Sequence, residues 1–403
     1  MDLRDLAGLA AMAVVFTVLV SGPVRRNTGW AATVTPLASI IGSGFLVSVP
    51  LLASQIGIWS VLAVACLCAF AYLVGGAIRF NIQNAEPRLE TPDAHPDLAP
   101  LEAMSHLALI GAYFISVAYY LVLLATFGLK LFGITDPVVV QGVATLFVGA
   151  ICGFGMLKGL AGVEKAEEVT VSVNLAAIAG LLVALFLFGL NLPEPYSWSA
   201  AAQESHDFDW ETFRFLLGLL IIVQGFETTR FMGALYSGRE RVAAMRRAQI
   251  IAAIVYLVFF ILMIPLFPYF TSSADVSGFI DVIGRVAPLL PFIVTAGAVA
   301  SQFSAAVADS IGASGLLGSS GRLHAAPKHA YALIGAVAVM VIWATDVVSI
   351  VALASRAFAL FYALQCVLAA VLARQMGLSG RSLYYAGLAL ICFLVAVLGL
   401  PSE

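Results

Sequence analysis

Four charged side chains interrupt long apolar runs in this chain: Glu227, Arg230, Asp309 and Arg356. A charge in apolar surroundings is costly unless it is paired or faces water, so each is a default candidate for ligand or ion handling. The densest group reads Val223-Gln224-Gly225-Phe226-Glu227-Thr228-Thr229-Arg230-Phe231. A glycine, an acid, two threonines and a base so close together are hard to explain by packing. Either Glu227 and Arg230 pair across one helical turn for structure alone, or the group binds a substrate or an ion. The stretch from Thr35 to Pro50 carries a second group, Gly42-Ser43-Gly44. Two glycines permit a backbone break, and N–H groups freed there could hold a carboxylate. Close helix packing by small residues is the competing reading. A third stretch runs Ser301-Gln302-Phe303-Ser304-Ala305-Ala306-Val307-Ala308-Asp309-Ser310. Hydroxyls, carbonyls and one carboxylate are what a sodium ion wants. Asp309 could instead carry a proton, or pair with Arg356 for structure.

These groups need elements to hold them, and composition settles which kind. The chain has 403 residues, 62% hydrophobic and 11% charged, against roughly 25% charged in a soluble domain. Its mean hydropathy is +1.01. A water-soluble protein of this size has nowhere to put so much apolar surface. The reading is an all-α polytopic membrane protein embedded in a lipid bilayer, which excludes soluble enzyme classes. No nucleophile–base or metal constellation argues for an intramembrane enzyme either. The net charge of −3 and the lack of a basic arm argue against a nucleic-acid partner. Cys66, Cys68, Cys152, Cys366 and Cys392 all lie in apolar runs and read as small packing residues, not disulfides or metal ligands.

About twelve runs are long and apolar enough to cross a bilayer. They cover 5–22, 29–53, 57–80, 102–132, 137–157, 166–190, 212–236, 245–271, 286–316, 329–345, 347–373 and 383–400. The first lacks a basic leader and a cleavage site, and reads as a retained helix. Assigning loops to alternate sides collects Arg25, Arg26, Arg79, Arg88, Lys158, Lys165, Arg239, Arg241, Arg246, Arg247, Arg322, Lys328, Arg374 and Arg381 on one side. Only Arg4, Lys130, Arg214 and Arg285 fall on the other. That bias makes the first side cytoplasmic and puts both termini outside.

Two of the chemical groups, five spans apart, resemble the amino acid–polyamine–organocation superfamily of transporters. Ile41-Gly42-Ser43-Gly44-Phe45, then Pro50, is similar to that family's first core helix. Gly225-Phe226-Glu227-Thr228 is similar to the break in its sixth. Ser116-Val117-Ala118-Tyr119-Tyr120 resembles the third core helix, Gly162-Val163 and Lys165–Glu168 the entry to the fifth, and Gly321-Arg322-Leu323 the loop after the eighth. The resemblance implies the leucine-transporter type of fold, a five-plus-five inverted repeat with core helices 1 and 6 broken. It divides the chain into 1–28, an extra N-terminal helix and loop; 29–190, the first repeat; 191–373, an external loop and the second repeat; and 374–403, a final helix.

It also implies secondary active transport of a small organic solute, most simply an amino acid or derivative. Ile41, Gly42, Ser43 and Gly44 would then face the substrate carboxylate, with Tyr120 nearby. Gly225 and Glu227 would take the amino group, Phe226 would gate, and Arg230 could hold a further acidic group. Ala306, Asp309 and Ser310 are similar to a sodium-site pattern on core helix 8, with Ser304 as an alternative register. Sodium or a proton is the implied coupling ion, with no other cofactor. The chain departs from the family in three ways: Arg230 replaces a small residue, Tyr236-Ser237-Gly238-Arg239-Glu240-Arg241 replaces an acidic stretch, and a helix precedes the repeats. The absence of Asp-Pro-Gly and Met-Pro-His motifs argues against a divalent metal substrate. A membrane sensor or partner subunit on the same fold, binding without flux, is the competing class.

Overall fold

The structure, a computed structural model, describes residues 2–89, 97–158, 164–199, 208–270, 277–319 and 326–400. The Gly162-Val163 and Gly321-Arg322-Leu323 motifs, and the side chains of Ser43, Lys158 and Lys165–Glu168, lie outside the described residues. All regular structure among those residues is helical. The long helices are α1 (Leu3–Val20), α2 (Thr28–Ile56), α3 (Ser60–Asn84), α4 (Leu98–Lys130), α5 (Pro137–Lys158) and α6 (Glu164–Leu190). Helix α7 (Trp210–Leu217) leads into the broken region, and after it come α8 (Gly238–Met263), α9 (Gly278–Gly284), α10 (Leu290–Ser319), α11 (Pro327–Ala344), α12 (Val347–Gln375) and α13 (Ser379–Leu398).

Nine helical stretches among the described residues are long and apolar enough to cross a membrane. The three differences from the expected set are specific. Thr28–Asn84 counts as one stretch because α2 and α3 are joined by a tight turn at Gly57, whose φ of +48° suits glycine. Residues from Lys328 to Ala344 are apolar but short. The run 212–236 is not one helix. Helix starts follow side-chain chemistry. Asn27 caps α2 by accepting from the Trp30 N–H at 3.0 Å, and Asp346 caps α12 by accepting from the Ser349 N–H at 2.9 Å. Ser237 and Glu240 form a reciprocal capping box at the start of α8.

Helix α4 packs on α10 and α12, α2 and α3 pack on α8, α5 on α11, and α6 on α10. The N-terminal helix α1 lies along α6, where a Cβ added to Gly180 would sit 2.8 Å from the Gly8 carbonyl oxygen. Small residues at such a crossing let the two backbones approach this closely. Buried Asp5 ties α1 to the segment before α10 by accepting from the Leu289 N–H at 3.0 Å.

The expected break in core helix 1 is not present. Helix α2 runs unbroken through Gly42, Ser43 and Gly44, with Pro36 and Pro50 inside it. Glycine permits a break without requiring one. Gly44 serves packing here, since a Cβ at that position would lie 2.5 Å from the Ile222 Cα. The ladder of α2 therefore keeps its N–H groups, and they do not form the carboxylate cradle expected at Ile41–Gly44.

Candidate functional site

The break in the seventh run is real. Helix α7 ends at Leu217, a short 3-10 turn covers Leu220–Val223, and Gln224 is extended. Gly225 has φ +113°, in the region that favours glycine, and a second 3-10 turn covers Phe226–Phe231. A Cβ on Gly225 would also meet the Ser39 carbonyl carbon of α2 at 2.6 Å. The break and α2 thus touch backbone to backbone.

A break inside a bilayer must have its backbone groups satisfied by neighbours. Neighbours supply them here. The Ile221 N–H donates to the Ser355 hydroxyl of α12 at 2.9 Å. The Tyr256 hydroxyl of α8 donates to the Ile222 carbonyl. The Gly225 N–H donates to the Glu227 carboxylate at 2.9 Å, and Thr228 returns a hydrogen bond to the Gly225 carbonyl at 2.8 Å. Thr229 does the same for the Phe226 carbonyl at 2.7 Å.

Glu227 is 1% exposed. It also accepts from the Tyr362 hydroxyl of α12, at 2.6 Å. The Glu227–Arg230 pair, the structural alternative for this motif, does not form. Arg230 instead reaches Glu102 of α4 at 2.8 Å, Glu86 at 3.7 Å and the Gln365 side chain. Glu86 also takes Arg241 at 2.6 Å, and Glu102 takes His106 at 2.9 Å. A 3-10 turn stacks residues three apart on one face, so register alone does not separate the two; Arg230 is drawn away by Glu102, Glu86 and Gln365, and Glu227 is held by Tyr362 and the Gly225 N–H. Arg230 is committed to two carboxylates, which removes it as an anion-binding group for substrate. Phe226 is fully buried and stacks on Tyr362 at 5.0 Å. Tyr120 is buried too, and its hydroxyl accepts from Gln224 at 2.9 Å.

The oxygens of the expected helix 8 cage are largely engaged. Ser310 donates to the Ala306 carbonyl within α10 at 2.7 Å, and Gln302 donates to the Gly42 carbonyl at 2.9 Å. Asp309 accepts from the Ser116 hydroxyl of α4. The Asp309–Arg356 pair does not form, since Arg356 is exposed and donates to the Ala396 carbonyl at 2.8 Å. Ser304 and Asp309 instead line a small cavity of about 30 Å³. Thr35 and Ser39 of α2, Asn174 of α6, Thr228 and Ser301 also line it. That volume holds about one water or one bare cation.

Sequence reasoning misses the partners: Ser116, Tyr362, Gln365, Glu86 and Glu102. Ser116 sits in a motif whose only sequence signal is its family resemblance. Tyr362 and Gln365 are polar groups in the middle of the run 347–373, which is a readable signal. Glu86 and Glu102 bracket a loop, where acids are ordinary.

A family model described as APC superfamily transporter matches residues 22–399. An uncharacterized protein of Aquifex aeolicus (strain VF5) is 38% identical over 353 residues, 86% of this chain and 84% of that relative. Among solved structures, a Na+-coupled sialic acid symporter in a substrate-bound outward-open state superposes with TM-score 0.54 at 16% identity, over 100% of this chain and 99% of that one. MhsT in complex with L-phenylalanine gives TM-score 0.57 at 14% identity, over 92% and 98%. At those identities the likeness concerns the fold.

Proposed function

Because this chain belongs to the APC transporter superfamily, we propose that it is a secondary active transporter of a small amine-bearing solute, an amino acid or derivative in the broad sense, working by alternating access. The observation that carries this reading is the break at Gln224–Gly225, where a buried carboxylate is held by neutral donors. A helix interrupted around such a group is how transporters expose polar backbone and side chains at mid-membrane. Glu227 takes the amino group. Phe226, stacked on Tyr362, covers it.

The coupling ion is a monovalent cation, sodium or a proton, handled by Asp309 and the Ser304 cavity. The solved Na+-coupled sialic acid symporter supports a coupling ion by analogy of fold. The helix pairs α4–α12 and α10–α6 exchange when each helix is replaced by the one five spans on, which supports two repeats over 29–190 and 191–373. Arg239, Arg246 and Arg247 lie on the cytoplasmic side of a bacterial inner membrane, with both termini outside. A thermal-shift screen of the purified protein against amines, amino acids and organic acids, with and without sodium, tests the reading. Stabilisation by an amine-bearing solute, lost in Glu227→Gln, is expected. Stabilisation only by solutes without an amino group contradicts it.

A further inference from the structure

We propose that the membrane-facing groove where α3 meets α8 and α13 holds the phosphate of an anionic phospholipid, gripped by Arg79 with Arg246 and Arg381 at its rim. The site shares no residue with the Gly225–Glu227 break and stands whether or not the chain transports.

The posture of Arg79 is the first argument. A long basic side chain near a helix end ordinarily runs out to water. Arg79, near the C-terminal end of α3, is only 8% exposed and turns the other way. It donates to the Tyr72 carbonyl, two turns back along α3, at 3.1 Å, and its guanidinium lies 4.6 Å from the Tyr72 ring. It also donates to the Gln249 side chain of α8, which is itself fixed by donating to the Ala71 carbonyl at 2.8 Å. Two glycines shape this niche. A Cβ on Gly75 would lie 2.5 Å from the Gln249 amide, so that position makes room for the partner of Arg79. A Cβ on Gly76 would meet, beyond its own helix backbone, only the Arg79 Nη2, at 3.6 Å. The face of α3 over Gly76 is an opening onto the guanidinium.

Charge is the second argument. Among the described residues Arg79, Arg246 and Arg381 form no ion pair, and the nearby acids are engaged elsewhere: Glu86 with Arg230 and Arg241, Glu240 with Ser237. Arg246 stands one turn before Gln249 on α8, where residues three apart are neighbours, and its charge acts on Arg79. On the other flank Phe80 packs on Tyr385 of α13 at 5.2 Å, and Arg381 stands one turn before Tyr385. Both Arg79 and Arg381 act on that tyrosine. A nearly buried guanidinium beside two more, with no acid, calls for an anion. The planar fork of arginine matches a phosphate with paired donors.

The surface leading away from the arginines marks that anion as a lipid's. From Arg246 the exposed face of α8 continues through Ile250 and Ile254 at steps of four residues. On α3 the exposed Leu73 lies one turn beyond Gly76. On α13 the exposed Tyr384 leads to Ile391 and Leu394. A charged site at the basic end of three helices, with apolar stripes running from it, fits a headgroup followed by acyl chains. Anionic lipids of the cytoplasmic leaflet are drawn to such basic pockets between helices.

Native mass spectrometry over a lipid titration tests this on the purified full-length protein in neutral detergent. The probes are phosphatidylglycerol, phosphatidylcholine with the same chains, and glycerol phosphate. One phosphatidylglycerol should stay bound, and the other two should bind at least tenfold more weakly. Arg79→Gln removes the charge, and Gly76→Leu fills the opening while keeping it. Each should weaken phosphatidylglycerol about tenfold or more, as for losing a charge-assisted hydrogen bond. Arg285→Gln, an exposed arginine at the other end of the helices, should leave it unchanged. Equal affinity for phosphatidylcholine, no retained phosphatidylglycerol, an equal loss in Arg285→Gln, or binding unchanged in either groove variant overturns the site. Glycerol phosphate binding as tightly as the lipid overturns the lipid assignment. If Arg79→Gln does not fold, Gly76→Leu decides alone.

Discussion

Tyr362 donates a 2.6 Å hydrogen bond to Glu227, so the acid at the break is held by α12 and not by Arg230 three residues along. The two charged residues of one short motif therefore serve different places. Glu227 faces the centre. Arg230 faces the polar network formed with Glu102, Glu86 and Gln365.

That network joins the end of the break to α4, α12 and the Glu86 turn. Glu102→Gln should lower stability by about 3 kcal/mol, toward the low end for a buried pair because the Glu102 side chain keeps 14% exposure. Pairing it with Arg230→Gln should recover part of that loss in the double variant. Melting temperatures of the four proteins check this, and purely additive losses would show that the two side chains do not couple.

Gly44 and Gly42 should differ. A Cβ at Gly44 meets the Ile222 Cα at 2.5 Å and Cβ at 2.6 Å, and the first of these is backbone. At Gly42 it meets only the Ser301 hydroxyl at 2.7 Å, which can turn away from its Asn174 donor. Gly44→Ala should cost about 1–3 kcal/mol of stability as overpacking, and Gly42→Ala less. Equal melting temperatures for the two would mean that α2 and the break are not in contact at Gly44.

Asp309 and Arg356 should behave independently. Arg356 bonds the Ala396 carbonyl at the surface, and Asp309 bonds Ser116 in the interior. Arg356→Gln should change stability by no more than about 0.5 kcal/mol, as for most surface sites. Its effect should add to that of Asp309→Asn within about 0.5 kcal/mol. Asp309→Asn alone should alter the sodium or pH dependence of solute binding. A strong rescue of Asp309→Asn by Arg356→Gln would restore the paired reading.

The loop between Phe231 and α8 should face the cytoplasm. A cysteine placed at Ser237 should resist an impermeant reagent applied outside intact cells, because basic residues cluster after it. Ready labelling there would reverse the orientation.

The fold is legible in the sequence because the bilayer leaves few options: runs of apolar residues this long can only be helices. The break at Gly225 is legible too, since a glycine, an acid and two threonines in mid-run have little other use. Gly42–Gly44 misleads because glycine marks both breaks and close packing, and only the position of Ile222 decides between them. Arg230 misleads because local spacing shows only its neighbour Glu227, whereas its partners Glu102 and Glu86 lie more than a hundred positions earlier and no spacing rule links them. The cavity beside Ser304 is not legible, because Thr35 and Asn174, which also line it, come from other helices and no spacing rule links them.

The Gly225–Glu227 break is proposed as the binding centre of a cation-driven transporter. The most direct measurement is uptake of a radiolabelled amine solute into proteoliposomes, with sodium and proton gradients imposed separately. Native protein should accumulate the solute above its external concentration under one of the two gradients, and Glu227→Gln should abolish that accumulation while remaining folded. Accumulation by Glu227→Gln equal to that of the native protein would contradict the claim.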